Sequence, residues 1–446
     1  MSIQHRTHEK IRRSTVVNHD PLWRYMYADA RTLPEAFQRG MRVSNDGPCL
    51  GYRRRRDDSG VDKATPYSWL PYSKVLDKSE SLARGLLGIG AKPGQSTLIG
   101  VYSQNRPEVV ITEQACYFFS MVVVSLYDTL GPEACAFILD KTELQIVVCD
   151  KAHRAENLLR QKIDNPGSAL SIIVLMDEPS DDLRSKAYDC QVRLIKFDHL
   201  LDLGYSARDK MPPVFPMYPS PDDLATICYT SGTSGNPKGA MITHENIMAA
   251  TTSSHMLRNC RVRPGDVMLS FLPMAHMYER LAQAIFYSSG GSIGFSRGDV
   301  KLLPDDIKSL QPHMLPSVPR LLNRMYDKIM EEVGRNVLKK WLLALAIQAK
   351  HAQLKNLTLR NDSLWDNVVF KKLQDQMGGR VKLLLSGSAP MSREVLHLLR
   401  AGLGAMVLEG YGATETSAAA CLTMEGDTNA GNFLSIVFVS FYYYYL

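Results

Sequence analysis

Apolar runs of strand length recur along the chain at 97–102, 145–149, 171–176, 224–228, 267–271 and 381–385, with helix-period patterns between them. Alternation of this kind predicts an α/β architecture built mainly on parallel sheets. A helix is expected from about His244. Another is expected where Leu338, Trp341, Leu342, Leu345, Ala349 and Ala352 follow helical spacing with Lys339, Lys340 and Lys350 between them. That second pattern reads as a surface helix packing one apolar face, with a membrane-binding helix as the alternative. Five prolines (Pro212, Pro213, Pro216, Pro219, Pro221) fall between Gly204 and Asp223, which predicts a linker between subdomains. The expected division is an N-terminal extension over 1–60, a first αβ subdomain over 61–222, a second over 223–432 and an apolar tail over 433–446. No internal repeat is visible.

Composition adds bounds to this picture. A chain of 446 residues, 45% of them hydrophobic, can bury a large core in two or more subdomains. Its net charge of +6 is too small to imply nucleic-acid binding, and anionic small molecules or a membrane surface fit equally well. Eight cysteines lie scattered among apolar neighbours without a Cys-x-x-Cys pair, the pattern of buried free thiols in a reducing compartment. Residues 1–13 are polar and basic and lack the apolar run of a secretory signal. Arg53 to Arg56, followed by Asp57 and Asp58, form either a lipid-touching patch or a solvated loop. The uncharged run 433–446 is shorter than the roughly 20 residues of a spanning helix. It reads as an aberrant end prone to aggregate.

The chemistry concentrates in a few short stretches. Residues 229–239 read Tyr-Thr-Ser-Gly-Thr-Ser-Gly-Asn-Pro-Lys-Gly. Glycines let backbone N–H groups turn toward an anion, hydroxyls donate to phosphate oxygens, and a lysine supplies mobile charge. The candidates are Thr230, Ser231, Gly232, Thr233, Ser234, Gly235 and Lys238. The Walker form is excluded, because Lys238 lies between Pro237 and Gly239. The stretch follows a strand and precedes a helix, the context expected of a phosphate loop. A second stretch, Leu408-Glu-Gly-Tyr-Gly-Ala-Thr-Glu-Thr416, bends through Gly410 and Gly412. A third, Ser386-Gly387-Ser388-Ala389-Pro390, ends a strand with small residues that allow close approach of a ring, or forms a plain turn. In a fourth, 271–280, His276 is either a packed or capping histidine or a functional one.

Together these stretches resemble the adenylate-forming enzymes, the acyl-CoA synthetase and luciferase superfamily. The large N-terminal domain of that fold, two stacked αβ subdomains, is what the resemblance implies. Asn105-Arg-Pro-Glu108, Tyr127-Asp-Thr-Leu130, the 271–280 segment, Val318-Pro-Arg-Leu-Leu-Asn-Arg324 and Cys421-Leu-Thr-Met424 look more narrowly like animal long-chain acyl-CoA synthetases. By that resemblance Thr230, Ser231, Thr233, Ser234 and Lys238 hold the departing phosphates of ATP. Gly387, Ser388 and Ala389 line the adenine pocket, and Tyr411, within Gly410-Tyr-Gly412, stacks on adenine. Thr414 bonds a phosphate oxygen, Glu415 holds Mg²⁺ and His276 orients the acyl carboxylate, while Arg320 is given no catalytic role. The implied substrates are a long-chain fatty acid, ATP and CoA, with no nucleic acid. The implied setting is the cytosolic face of the endoplasmic reticulum or outer mitochondrial membrane.

The resemblance runs from about Ile11 to Gly431 and then stops. Relatives continue with a Thr-Gly-Asp segment, a hinge and a small C-terminal domain bearing a lysine for adenylation, and full-length animal relatives begin with a membrane anchor. Neither stretch is found in this sequence. The expectation is a chain of little or no activity with at most peripheral membrane contact. A non-catalytic remnant that binds ATP or fatty acid and regulates a full-length partner is the alternative. An ordinary P-loop NTPase or kinase is disfavoured by the absence of Gly-Lys-Ser/Thr and His-Arg-Asp segments.

Overall fold

The computed structural model describes residues 2–4, 12–14, 23–53, 65–128, 131–208, 215–230, 236–355 and 360–423. Two large sheets carry the molecule. The seven-stranded sheet runs, in spatial order, Lys238–Thr243, Leu224–Thr230, Val122–Leu126, Leu98–Tyr102, Ile146–Cys149, Ile172–Leu175, Arg193–Lys196. All neighbours are parallel except the first pair. The eight-stranded sheet runs Cys421–Leu422, Met406–Tyr411, Leu383–Ser386, Met314–Ser317, Val267–Ser270, Ser292–Phe295, Pro48–Tyr52, Ser68–Pro71. It is parallel throughout except at its two outermost pairs. A separate antiparallel pair joins Ser2–Gln4 to Arg12–Ser14.

Parallel pairing follows from composition. Strands such as Val122–Leu126 and Ile146–Cys149 are buried on both faces, so every position selects an apolar or small residue and each crossover must supply a covering helix. The helices Pro107–Phe118 and Met277–Ser289 are buried along nearly their whole length. One apolar cluster takes in residues of both helices and both sheets, including Val123, Val148, Met268 and Met314.

Each expected strand is present, shifted by a residue or two at its ends. The expected division at 222–223 does not follow the sheets: Leu224–Thr230 pairs with Val122–Leu126, while Pro48–Tyr52 pairs with Ser292–Phe295. Strand pairing joins segments distant in the chain, and a proline-rich stretch says nothing about which sheet receives the next strand. The expected linker starts inside the helix Phe197–Ala207, and Met217 N–H donates to Phe118 O at 3.1 Å, so this part lies against the body. Arg53 is no surface patch: its guanidinium is buried and meets Asp305 at 2.7 Å and Asp306 at 2.9 Å. Arg54 to Asp58, Pro212, Pro213 and 433–446 lie outside the described residues. All eight cysteines are free thiols. Among the described residues no helix is long and apolar enough to cross a membrane.

Two further expectations need correction. Between the glycine-rich stretch and the helix His244–Thr251 stands the strand Lys238–Thr243, antiparallel to Leu224–Thr230, with Thr230 opposite Lys238. The stretch therefore joins two antiparallel strands, and the helix does not follow it directly. The helix starts six residues beyond Lys238, about 20 Å along the strand. The helix Val337–Lys355 forms as expected, but Leu343, Ala346 and Lys350 are its buried positions, while Leu338, Trp341 and Ala352 are exposed. Its inward face is set by the ammonium of Lys350, held by Asp366 at 2.9 and 3.0 Å.

Candidate functional site

In open α/β sheets a crevice forms where strand order reverses, beyond the carboxyl ends of the strands. In the seven-stranded sheet the reversal falls at Leu98–Tyr102, whose neighbours are Val122–Leu126 and Ile146–Cys149. In the eight-stranded sheet it falls between Val267–Ser270 and Met314–Ser317. The two crevices meet. Asn105, just past the first reversal, donates to Ser270 Oγ at 2.8 Å and Leu272 O at 2.6 Å and accepts from Met274 N–H at 3.0 Å. These three bonds staple the loop that leads to His276.

His276 sits at the N-cap of Met277–Ser289, its backbone N–H bonded to Pro273 O at 2.9 Å. The edge of its ring packs on Tyr127, with centroids 5.1 Å apart, and the Tyr127 hydroxyl donates to Tyr229 O at 2.9 Å. His276 is exposed, and the desolvation of part of its ring lowers its pKa. A neutral imidazole can donate or accept a single hydrogen bond toward a carboxylate.

Beside it opens a cavity of about 630 Å³. His276, Gly387 and Ser388 line one part, together with Gly410, Tyr411, Gly412 and Thr414. Tyr278 ties this part together, its hydroxyl donating to Leu385 O at 2.6 Å, and Glu409 accepts from Met391 N–H at 3.2 Å. Tyr411 is 63% exposed, an aromatic face open for stacking. The cavity then runs along Met277, Leu281 and Ile285, a span of about 12 Å on one helix face. Leu257, Val262 and Leu422 complete that apolar section.

The glycines differ in what they do. A Cβ at Gly387 would lie 3.5 Å from the Tyr278 ring, an ordinary contact. One at Gly412 would lie 1.8 Å from the carbonyl oxygen of Ala418. The turn carrying Thr414 and Glu415 folds back there, closed by Ala418 N–H to Ala413 O at 3.0 Å and Ala420 N–H to Tyr411 O at 2.9 Å. Ser417 and Ala418 have φ of +47° and +77°, and Ser388 has +75°, uncommon backbone for residues bearing a Cβ.

The other expected residues are placed as follows. The strand Lys238–Thr243 abuts the turn Thr414–Thr416, which brings Lys238 and Glu415 to neighbouring elements. Thr230 Oγ1 donates to Lys238 O at 3.5 Å across the hairpin neck. Ala389, Thr230, Lys238 and Glu415 do not line the cavity. Ser231, Gly232, Thr233, Ser234 and Gly235 lie outside the described residues. Among the described residues no three His, Cys, Asp or Glu side chains gather as a metal cluster.

The sequence reading gave no role to Asn105, Tyr127 and Glu279, which stand behind the cavity wall and do not line it. All three stood only inside segments of family resemblance, with nothing to say what they touch. Glu279 is fully buried, and desolvation pushes its carboxyl up to about 7 against bonds from Gln283, Ser270 and Leu272 N–H. Its ordinary value is 4.5, so between these limits the folded state keeps a proton that the unfolded chain has released, and stability falls as pH rises from about 4.5 to 7. Most of that interval, about 2–3 kcal/mol, is crossed between pH 5 and 8. Urea unfolding at several pH values is expected to show this loss in the native chain and a flatter profile in Glu279→Gln. Equal slopes would remove Glu279 as the cause.

Comparison with known proteins agrees with this geometry. The profile of the AMP-binding enzyme family matches residues 52–435. Long-chain-fatty-acid–CoA ligase 5 of Rattus norvegicus is 44% identical over 423 residues, covering 94% of this chain and 60% of that protein. Long-chain-fatty-acid–CoA ligase 1 of Homo sapiens is 46% identical over 426 residues, covering 94% of this chain and 59% of that protein. The chain thus spans about 60% of the length of these curated relatives. Among solved structures, the A domain of carboxylic acid reductase from Segniliparus rugosus, in complex with AMP and a carboxylic acid, superposes with a TM-score of 0.67 at 20% identity, covering 88% of this chain and 62% of that one. The N-terminal domain of FACL13 from Mycobacterium tuberculosis gives 0.61 at 19%, covering 89% and 79%. The fold is therefore the α/β fold of adenylate-forming domains. With the match spanning most of the sequence and both sheets, the chain belongs to the AMP-binding enzyme family.

Proposed function

We propose that the cavity binds ATP and a long-chain fatty carboxylate and supports formation of an acyl-adenylate, with CoA as the later acyl acceptor. The observation that carries this reading is the continuity of one cavity. It begins among Tyr411, Gly387 and His276 and continues as an apolar channel along Leu281 and Ile285. A nucleotide and an acyl chain meeting end to end would place the carboxylate near His276. The carboxylate oxygen attacks the α-phosphorus of ATP and pyrophosphate leaves. The thiol sulfur then attacks the acyl carbon and AMP leaves. The names of the ligase relatives support the long-chain substrate.

No protein nucleophile is required, so the chain's contribution is positioning and charge. Neutral His276 orients the carboxylate, Asn105 holds the His276 loop, and Lys238 with the hairpin hydroxyls meets the departing phosphates. Glu415 is the candidate carboxylate for Mg²⁺. A lone carboxylate fits that ion only when phosphates and water complete its shell, and Mg²⁺ bound in this way would offset phosphate charge. Calorimetric titration with Mg·ATP tests the assignment. The native chain is expected to bind and Lys238→Ala to bind about 10–100-fold more weakly, the loss of one charge-assisted contact of about 1.5–3 kcal/mol. No binding by the native chain, or equal binding by both, would contradict it.

A further inference from the structure

The helix Val337–Lys355 packs inward through Leu343, Ala346 and Lys350, yet its opposite side is also apolar. Val337 is 80% exposed, Leu338 63% and Trp341 57%. Leu345 and Ala349 on the same side are half-buried, and Ala352 is exposed. Gln348 is the exposed polar residue on this stripe, so the apolar part is the end that holds Val337, Leu338 and Trp341, a cluster of large side chains that marks an interaction surface. The charge on this one is of a single sign: residues 336–355 contain no Asp or Glu, and Arg335, Lys339 and Lys340 are exposed at the end that carries Trp341. Glu332, close enough to feel Lys339, is engaged by Lys372 at 2.6 Å.

We propose that this face docks on an anionic lipid surface, with Leu338 and Trp341 entering the headgroup boundary and Lys340, which flanks Trp341, lying among the headgroups. Each half of the pattern suits that occupant. Tryptophan has an apolar body with one polar N–H and favours the membrane–water boundary, and each lysine near an anionic surface adds attraction. A second copy of the chain is a poorer occupant, since a two-fold contact across Trp341 would bring Lys340 toward its own copy. The helix would lie on the surface and not span it.

Vesicle co-sedimentation tests this, using phosphatidylcholine alone and phosphatidylcholine with about 30% phosphatidylserine. The native chain is expected to bind the anionic vesicles and to be released by salt. Lys340→Glu is expected to weaken binding about fivefold or more, as removal of one attraction of about 1 kcal/mol requires. Leu338→Glu/Trp341→Glu is expected to abolish it, with a thermal midpoint like that of the native chain because both side chains are exposed. Absence of native binding to anionic vesicles, or binding that both variants retain, would overturn the proposal. So would self-association lost in Leu338→Glu/Trp341→Glu without vesicle binding, which would assign the face to a second copy.

Discussion

Gly412→Ala is expected to abolish ligand binding at the end of the cavity lined by Tyr411 and Thr414. The new methyl would stand 1.8 Å from the backbone oxygen of Ala418, and a backbone atom cannot move aside as a side-chain tip can. Relief requires the turn over 413–418 to open, breaking the bonds from Ala418 to Ala413 and from Ala420 to Tyr411. Tyr411 and Thr414 then leave their places at the cavity. Overpacking of this kind commonly costs about 1–3 kcal/mol, and here the cost falls on the binding surface itself. At least a hundredfold loss of affinity for an adenylate analogue is expected by calorimetry, about 2.7 kcal/mol. Gly387→Ala is the control: its methyl meets Tyr278 at 3.5 Å, so the protein should fold as before. Native-like analogue binding by Gly412→Ala would show that the turn does not shape the site.

Glu113→Ala is expected to destabilise the whole fold. Glu113 on Pro107–Phe118 and Arg280 on Met277–Ser289 pair at 2.8 Å with both side chains buried, and Arg280 also donates to Ser125 Oγ at 2.9 Å. Burial raises the Glu113 carboxyl above its ordinary value even beside the guanidinium. Desolvation thus outweighs attraction at the carboxyl, whereas at Arg280 the attraction to Glu113 outweighs desolvation and favours the charged guanidinium. Removing one partner still strands a charge in the core, which costs about 3–5 kcal/mol. Replacing both with apolar residues of similar volume, Glu113→Leu/Arg280→Met, is expected to recover most of that loss. Urea midpoints for the native chain and the two variants would decide it, and a double variant no better than Glu113→Ala would rule out the stranded charge as the cause.

These two cases show what the sequence exposes and what it conceals. Doubly buried strands such as Val122–Leu126 announce themselves, because burial on both faces demands unbroken apolar runs. The strand Lys238–Thr243 did not, since Lys-Gly-Ala-Met-Ile-Thr has neither a clean alternation nor a β-branched run, and pairing with Leu224–Thr230 decides its state. Local motifs singled out the stretches around Gly387 and Tyr411, and the fold brings both to the wall of one cavity. The partners of those motifs were hidden. Asn105 reaches Ser270 across 165 positions, and no local pattern marks a side chain that will staple a distant loop. Gly387 and Gly412 look alike as letters, and only the return of the backbone at Ala418 separates them. The helix at 337–355 misled for a related reason: apolar spacing marks a face, but the buried Lys350–Asp366 pair determines which face turns inward.

The central claim, that one cavity seats both a nucleotide and a long acyl chain, is tested most directly by titrating the 446-residue chain with two hydrolysis-resistant acyl-sulfamoyl adenosines, one palmitoyl and one acetyl. If the channel past Leu281 and Ile285 receives the chain, the palmitoyl compound should bind at least a hundredfold more tightly, the effect of burying only three or four methylenes at about 0.8 kcal/mol each. ATP should compete with both. Equal affinity for the two compounds would contradict the account, because the apolar section would then be no part of the site that holds the adenylate.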